Sequence, residues 1–279
     1  MMSATELPPA AFAFDSVAET FDDRFGPWLS VAAQRRPVRA ALATAFAPGA
    51  TVIEIGGGTG EDAHWLLERG RQVVLTDASP EMVRIAGAKL HGMPGASVAL
   101  AAAEALETFA NDRDRAGAAP FDGAFSNFAG LNCVSDLTPV ARGLARLVRA
   151  EAPVLLVVFG TFCVGEMVVE GVRGRPRNMF RRFARGDVPA RLSGRHFTVR
   201  YHRQADIIRA MSPWFESIGR QGIGVFVPPS AAEPWISKHP HLLRGLEWLD
   251  RSLSRPLAGL GDHVLYRFVR NRVPVEAAR

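Results

Sequence analysis

The feature that most narrows what this chain can fold into is a short apolar run, Val52-Ile53-Glu54-Ile55. It stops at Gly56-Gly57-Gly58-Thr59-Gly60 and continues from Glu61 as an amphipathic stretch. The pattern reads as strand, glycine turn and helix, and so many glycines let a backbone approach a ligand that any side chain would push away. The next apolar run ends at Asp77, 17 positions beyond Gly60. A carboxylate at the end of a second strand can accept hydrogen bonds from both hydroxyls of a ribose, as in nucleotide-binding α/β folds. The segment Gly58-Thr59-Gly60-Glu61-Asp62-Ala63 also has the Gly-x-Gly-x-x-Ala form of a dinucleotide site. That reading would bring in a nicotinamide or flavin cofactor and leave Gly56-Gly57 without a purpose. A tight turn without ligand, and Asp77 as a helix cap, are the structural readings of the same residues.

Beyond residue 51 short apolar runs alternate with longer amphipathic ones, the pattern of a parallel α/β sheet. Strands are predicted at 51–55, 72–76, 96–100, 121–126 and 153–159, with helices at 61–68, 80–90 and 137–148. Ser79-Pro80-Glu81 supplies a cap, a proline at the first helical position and an acid in the first turn. The alternation then stops, and 161–203 reads as an insertion ending in a hairpin about Ser193-Gly194. A helix at 204–211, a strand at 215–227, a helix at 240–253 and a last strand at 263–269 complete the chain. The expectation is one domain over 1–279, a Rossmann-like α/β fold. Its seven-stranded sheet is mostly parallel, has an antiparallel last strand, and carries helices on both faces. Within it, 12–47 forms an N-terminal helical cover and 48–160 the cofactor-binding half. The segment 161–203, after the fifth strand, forms a substrate cover, and 204–272 completes the sheet with a second insertion at 228–262. The ends, 1–10 and 273–279, are expected to be loose.

With 279 residues, 48% of them hydrophobic and 22% charged, the chain can bury a large core unaided. The longest nearly apolar stretch, 152–165, is too short to span a bilayer, so no membrane partner is expected. No basic residue precedes Arg24 and two cysteines make no disulfide framework, which together predict a cytoplasmic protein. The net charge is +5, and lysine occurs only at 89 and 238. The segment 165–209 holds eleven arginines against Glu166, Glu170, Asp187 and Asp206. Such a segment would draw an anionic substrate or a polyanion, or simply form a solvated basic face.

Glu54 with Gly56, Gly58 and Gly60, followed by Asp77, resembles the first two motifs of the class I S-adenosylmethionine-dependent methyltransferases. The likeness extends over about 12–160. It implies that Gly56, Gly57, Gly58 and Gly60 pass under the methionine and ribose of S-adenosylmethionine. It also implies that Glu54 steadies the turn or meets the amino group through water, and that Asp77, with Ala78 beside it, holds the ribose. Ala103 and Glu104 would face the adenine, and Asn127 and Phe128 the methionine end. The segment Phe14-Asp15 to Asp22 resembles a helix that many small-molecule members fold over the cofactor, although Phe14 stands where that family commonly has tyrosine. Asn127 is followed by Phe128-Ala129-Gly130, not by the Pro-Pro-Tyr of enzymes that methylate exocyclic base nitrogens, so no nucleic-acid partner is expected.

A sulfonium methyl is already activated, so such an enzyme mainly holds an acceptor in line behind it. An acceptor that must lose a proton needs a base. The catalytic candidates are His196, His202 and Tyr201, with His239, His241 and His263 further along. Asn132, Glu166, Phe162 and Phe197 are substrate candidates, and no metal site is expected. Cys133 and Cys163 read as small buried residues. The predicted reaction is O-, N- or C-methylation of a small organic acceptor, anionic or aromatic, with S-adenosylhomocysteine as product. An RNA or protein methyltransferase using 165–209, and a cofactor binder without catalysis, are the alternatives.

Overall fold

The computed structural model describes residues 7–272. Three helices precede the sheet: α1 (Pro9–Asp15), α2 (Ala18–Phe25) and α3 (Leu29–Ala45). The expected cover therefore begins at Pro9, earlier than residue 12. Of the ends predicted loose, residues 9 and 10 are helical, while 1–6 and 273–279 lie outside the described residues. The sheet then builds through β1 (Thr51–Ile55), α4 (Glu61–Leu67), β2 (Gln72–Asp77), α5 (Pro80–Lys89) and β3 (Ala96–Leu100). It continues with α6 (Leu106–Arg115), β4 (Gly123–Ser126), α7 (Thr138–Leu147) and β5 (Pro153–Phe159). Next come α8 (Val164–Val172), α9 (Pro176–Met179) and a separate hairpin of β6 (Asp187–Leu192) and β7 (Arg195–Arg200). The chain closes with α10 (Gln204–Met211), β8 (Phe215–Ile223), α11 (Pro240–Leu253) and β9 (His263–Arg270).

The seven strands lie in the order β3-β2-β1-β4-β5-β9-β8. The first five are mutually parallel, and β9 enters antiparallel to both β5 and β8. Parallel strands covered on both faces are apolar throughout, as the run Pro-Val-Leu-Leu-Val-Val-Phe of β5 is. Because side chains alternate across a strand, β5 sends Val154, Leu156 and Val158 into one core, beneath α6, α7 and α10. Leu155 and Val157 enter the other, beneath α3, α4 and α5. No helix among the described residues is long and apolar enough to cross a membrane.

Several boundaries differ from expectation for local reasons. The fourth strand starts at Gly123 and not at 121, because the Asp122 carboxylate accepts from Thr51 N (2.9 Å) and Phe121 makes only an isolated bridge to Val148. The strand predicted over 215–227 ends at Ile223, since Gly224 turns the chain at φ +66°. Helix α6 escapes periodicity analysis because only Leu106 and Ala110 of it are buried. The hairpin turn falls on Ser193 and Gly194, at φ +45° and +87°, two successive left-handed residues that suit the twist of the flanking strands.

Candidate functional site

The carboxyl edge of the parallel strands opens into a cavity of about 890 Å³ that reaches from the glycine turn to the insertion after β5. That is at the upper end of the roughly 300–1,000 Å³ typical of small-molecule sites.

At one end the wall is largely backbone. Gly56, Gly58 and Gly60 take φ of +65°, +55° and +85°, conformations that glycine adopts without strain. A Cβ on Gly56 or Gly58 would meet no protein atom closer than 3.9 Å and would occupy cavity space instead. Gly57 is required for another reason: its Cβ would fall 2.5 Å from Leu75 Cγ. Gly60 does not line the cavity; it packs toward Ala86 and Leu75, which corrects its assignment to the ligand. The Asp77 carboxylate accepts from Gly58 N and Ser79 N, both at 2.9 Å, so it fixes the turn and the start of α5 together. Burial pushes its pKa up despite these donors.

Behind the turn lies a buried charge group that the sequence motifs do not reveal. Asp62 of α4 accepts from Arg35 (2.7 Å), Arg39 (2.8 Å) and Asn127 Nδ2 (2.7 Å). Burial alone would raise its pKa, but the two guanidinium groups more than offset this and hold it below the ordinary value. Glu54 has no such partner. Burial first, and then the Asp62 charge, push its carboxyl well above the usual range, and its Oε2 is buried with no hydrogen bond.

The N-terminal helices are fastened over this end by acids. Asp15 Oδ1 accepts from Ser79 Oγ (2.8 Å) and Glu81 N (2.9 Å), and Asp22 accepts from Thr59 Oγ1 and Lys89 Nζ, both at 2.6 Å. Glu19 pairs with Arg84. Phe14 lines the cavity, with its ring 5.8 Å from that of Phe197.

The other end is made of side chains brought from distant elements. After β4 the chain turns through Phe128 and Ala129 at φ +48° and +61°, a left-handed pair that costs roughly 1–3 kcal/mol per residue and clusters at functional sites. Phe128 thereby stands between Arg35, whose guanidinium lies 4.5 Å from its centroid, and His263, at 5.7 Å and nearly perpendicular. His263 also stacks on Phe159 at 4.8 Å, its register partner across β5 and β9. Burial pushes the His263 pKa down, although Asp262 pulls it up, so the imidazole is neutral at pH 7. Its Nδ1 is buried without a hydrogen bond, 3.5 Å from Asp262 Oδ2. Arg182 binds Asp262 (2.6 Å) and Glu166 together, and Arg181 adds a second contact to Glu166 at 2.5 Å. Gln34 of α3 donates to Asp262 Oδ2 at 3.2 Å, one residue before Arg35 reaches Asp62.

Among the expected cofactor residues, Phe14, Glu54, Gly56, Gly57, Gly58, Asp77, Ala78, Ala103, Glu104, Asn127 and Phe128 all line this one cavity, whereas Gly60 does not. Of the substrate candidates only Glu166 lines it. Asn132 is instead a buried brace, donating to Arg200 O (2.6 Å) and accepting from Phe159 N (2.8 Å). Phe162 packs on Phe183, and Phe197 reaches the site only through Phe14. The three catalytic candidates fall away from the cavity. His196 is exposed on β7, and His202 lies beyond the end of that strand, with Nε2 held by the carbonyls of Val134 and Leu131. Tyr201 is buried against Phe159 near Arg182, and burial raises its pKa, so it stays protonated. Burial also pushes both cysteine thiols up to about 12, which leaves neither as a nucleophile. Cys163, Glu166 and Asp262 bring metal-ligand atoms within 4.8 Å of one another, but Arg182 already supplies the charge that the two carboxylates need.

Residues 52–151 match the profile of a methyltransferase domain. No curated protein sequence matches the chain. Among solved structures the chain resembles a Haloferax volcanii complex of the Trm112 methyltransferase activator with a putative methyltransferase. The TM-score there is 0.56 at 15% identity, covering 96% of this chain and 100% of the other. A Mesorhizobium loti S-adenosylmethionine-dependent methyltransferase gives 0.52 at 16%, covering 85% and 98%. A putative one from Listeria monocytogenes gives 0.53 at 14%, covering 84% and 96%. These likenesses concern the fold.

Proposed function

We propose that this chain, whose residues 52–151 match a methyltransferase domain, is a class I S-adenosylmethionine-dependent methyltransferase that methylates a small aromatic acceptor bearing a hydroxyl or amine. The observation that carries this reading is the two-ended cavity: glycine turn and Asp77 at one end, Phe128, His263 and Phe159 at the other. The residues fit the cofactor, because Glu54 Oε2 is buried with nothing to bind and Gly56 and Gly58 leave a cradle that a Cβ would fill. Asp77 and Glu104 present carboxylates to a ligand that carries a sulfonium and an ammonium, whereas the charge of Asp62 is already met by Arg35 and Arg39. That ligand, when bound, supplies a methyl group already activated for displacement.

Asp77 offers its remaining acceptor capacity to a ribose, while Ala103 and Glu104 border the adenine. Phe128 and Phe159 exclude water and face a flat acceptor with aromatic surfaces. His263, neutral and beside Asp262, takes the proton that the acceptor oxygen or nitrogen loses as the new bond forms, and the Asp262 carboxylate steadies the imidazolium. The basic segment argues less for RNA or protein than its composition suggests. Five of its eleven arginines are spent on carboxylates: Arg173 on Glu170, Arg181 and Arg182 on Glu166, Arg200 on Asp187 and Arg209 on Asp206.

The test is calorimetric titration with S-adenosylmethionine and with nicotinamide dinucleotides, followed by S-adenosylhomocysteine release with phenols, aromatic amines, RNA and protein as acceptors. Saturable binding of S-adenosylmethionine alone and turnover on a phenol or aromatic amine are expected. His263→Gln should then keep cofactor affinity and lose about 10²–10⁴-fold in kcat. In the wild type the acid limb of the pH profile should fall below about 6.5, the ordinary histidine value. Turnover confined to RNA or protein overturns the acceptor class, and tight binding with no turnover on any acceptor leaves a cofactor-binding protein.

A further inference from the structure

The part of the insertion that walls the acceptor end has an outer side unlike the rest of the surface. Val164, Val168 and Val172 recur every fourth residue along α8 and are 40%, 59% and 85% exposed. Phe180 and Phe183, just beyond α9, are 53% and 44% exposed and stack on each other at 6.1 Å. The opposite side of α8 accounts for its packing: Val169 joins the core beneath Ala232, Ile236 and Leu243, and Glu166 is buried in the cavity wall. The outward valines are therefore not needed to hold the helix in place. Single exposed apolar residues are ordinary, whereas five in one packed unit of twenty residues mark a contact surface.

Charge identifies the contact. Between Glu170 and Asp187 there is no acid and there are six arginines. Arg173, Arg181 and Arg182 bind Glu170 and Glu166, which leaves Arg175, Arg177 and Arg185 exposed, with no carboxylate partner among the described residues. A second copy of this chain would set these cations against each other across a two-fold interface, where like charges repel. Nucleic acid would use the arginines but gives a row of valines nothing to pack on. Apolar side chains interspersed with unpaired arginines match the interface of an anionic bilayer, where hydrocarbon takes the former and headgroups the latter.

We propose that α8, α9 and the turn to Phe183 dock this protein on the surface of an anionic lipid membrane, without spanning it. Because Glu166, Arg181 and Arg182 of the same unit line the cavity, docking would set the acceptor end beside the bilayer, a placement suited to a lipophilic acceptor. The docking itself does not depend on which acceptor is used.

The full chain is tested by co-sedimentation with vesicles of phosphatidylcholine mixed with phosphatidylglycerol, and with phosphatidylcholine alone, at physiological ionic strength. Binding to the mixed vesicles only is expected, weakening as salt shortens the Debye length below about 8 Å. Val168→Asp with Val172→Asp should abolish it. Arg175→Gln, Arg177→Gln and Arg185→Gln should each weaken it roughly fivefold. Calorimetry with S-adenosylmethionine should give unchanged affinity in every variant, which reports the fold and the cofactor reading separately from docking. The proposal is overturned if no vesicle is bound. It is equally overturned if the valine variant binds like the wild type and single-stranded RNA competes, or if Val168→Asp instead dissolves a dimer seen in solution.

Discussion

The two ends of the cavity are built from different materials. At one end the wall is a turn whose shape follows from a few consecutive residues, Gly56 to Gly58, and one carboxylate, Asp77, that holds the turn through Gly58 N. At the acceptor end no two neighbours in sequence suffice: Glu166, Arg182 and Asp262 come from the insertion and from the start of the last strand, and meet in one buried cluster. The first kind of site is set by local backbone geometry. The second exists only when the whole fold has closed, and it depends on mutual charge compensation that fails when one member is lost.

The largest effect expected from breaking this contrast is at Arg182. Arg182→Met leaves Asp262 buried without its guanidinium and Glu166 with Arg181 alone, and removal of one partner from such a group costs about 3–5 kcal/mol. Urea unfolding should show that loss, and an unchanged midpoint would mean that the cluster opens to water. Next comes Asp77→Ala, which should weaken S-adenosylmethionine binding by about 1–3 kcal/mol through lost charge-assisted hydrogen bonds. Titration calorimetry measures it, and unchanged affinity in a folded variant would remove Asp77 from the ribose. The smallest effect belongs to His196→Gln, on an exposed strand away from the cavity, where stability should move by less than about 0.5 kcal/mol. A large loss of turnover there would return His196 to the list of bases and weaken the case for His263.

The same contrast explains what could be read in advance. The mostly parallel sheet with its antiparallel last strand follows from apolar runs and turns of a few residues each, and so do the glycine turn and Asp77, whereas the order of the strands does not. Spacing does not tell a glycine that admits a ligand from one, like Gly60, that packs toward Ala86 and Leu75. Asp62 was hidden because an acid in the first turn of a helix is common for dipole reasons alone, and its partners Arg35 and Arg39 come from a different helix. The even spacing of His196 and His202 predicts one shared strand face, but β7 ends at Arg200 and His202 is taken up by backbone carbonyls. His263 carried a usable signal that lay in topology. An antiparallel last strand begins where its parallel neighbours end, so its first residue belongs at the ligand edge, opposite Phe159.

Gln34 and Arg35 are consecutive residues of α3, and they grip opposite ends of the cavity, one through Asp262 and the other through Asp62. The helix thus ties the two ends together: a shift of α3 would pull on both seats at once. Reactions that depend on near-attack spacing lose about 10²-fold for an error of one ångström. Such an error could therefore enter from outside the sheet, through a helix whose two side chains hold Asp262 and Asp62.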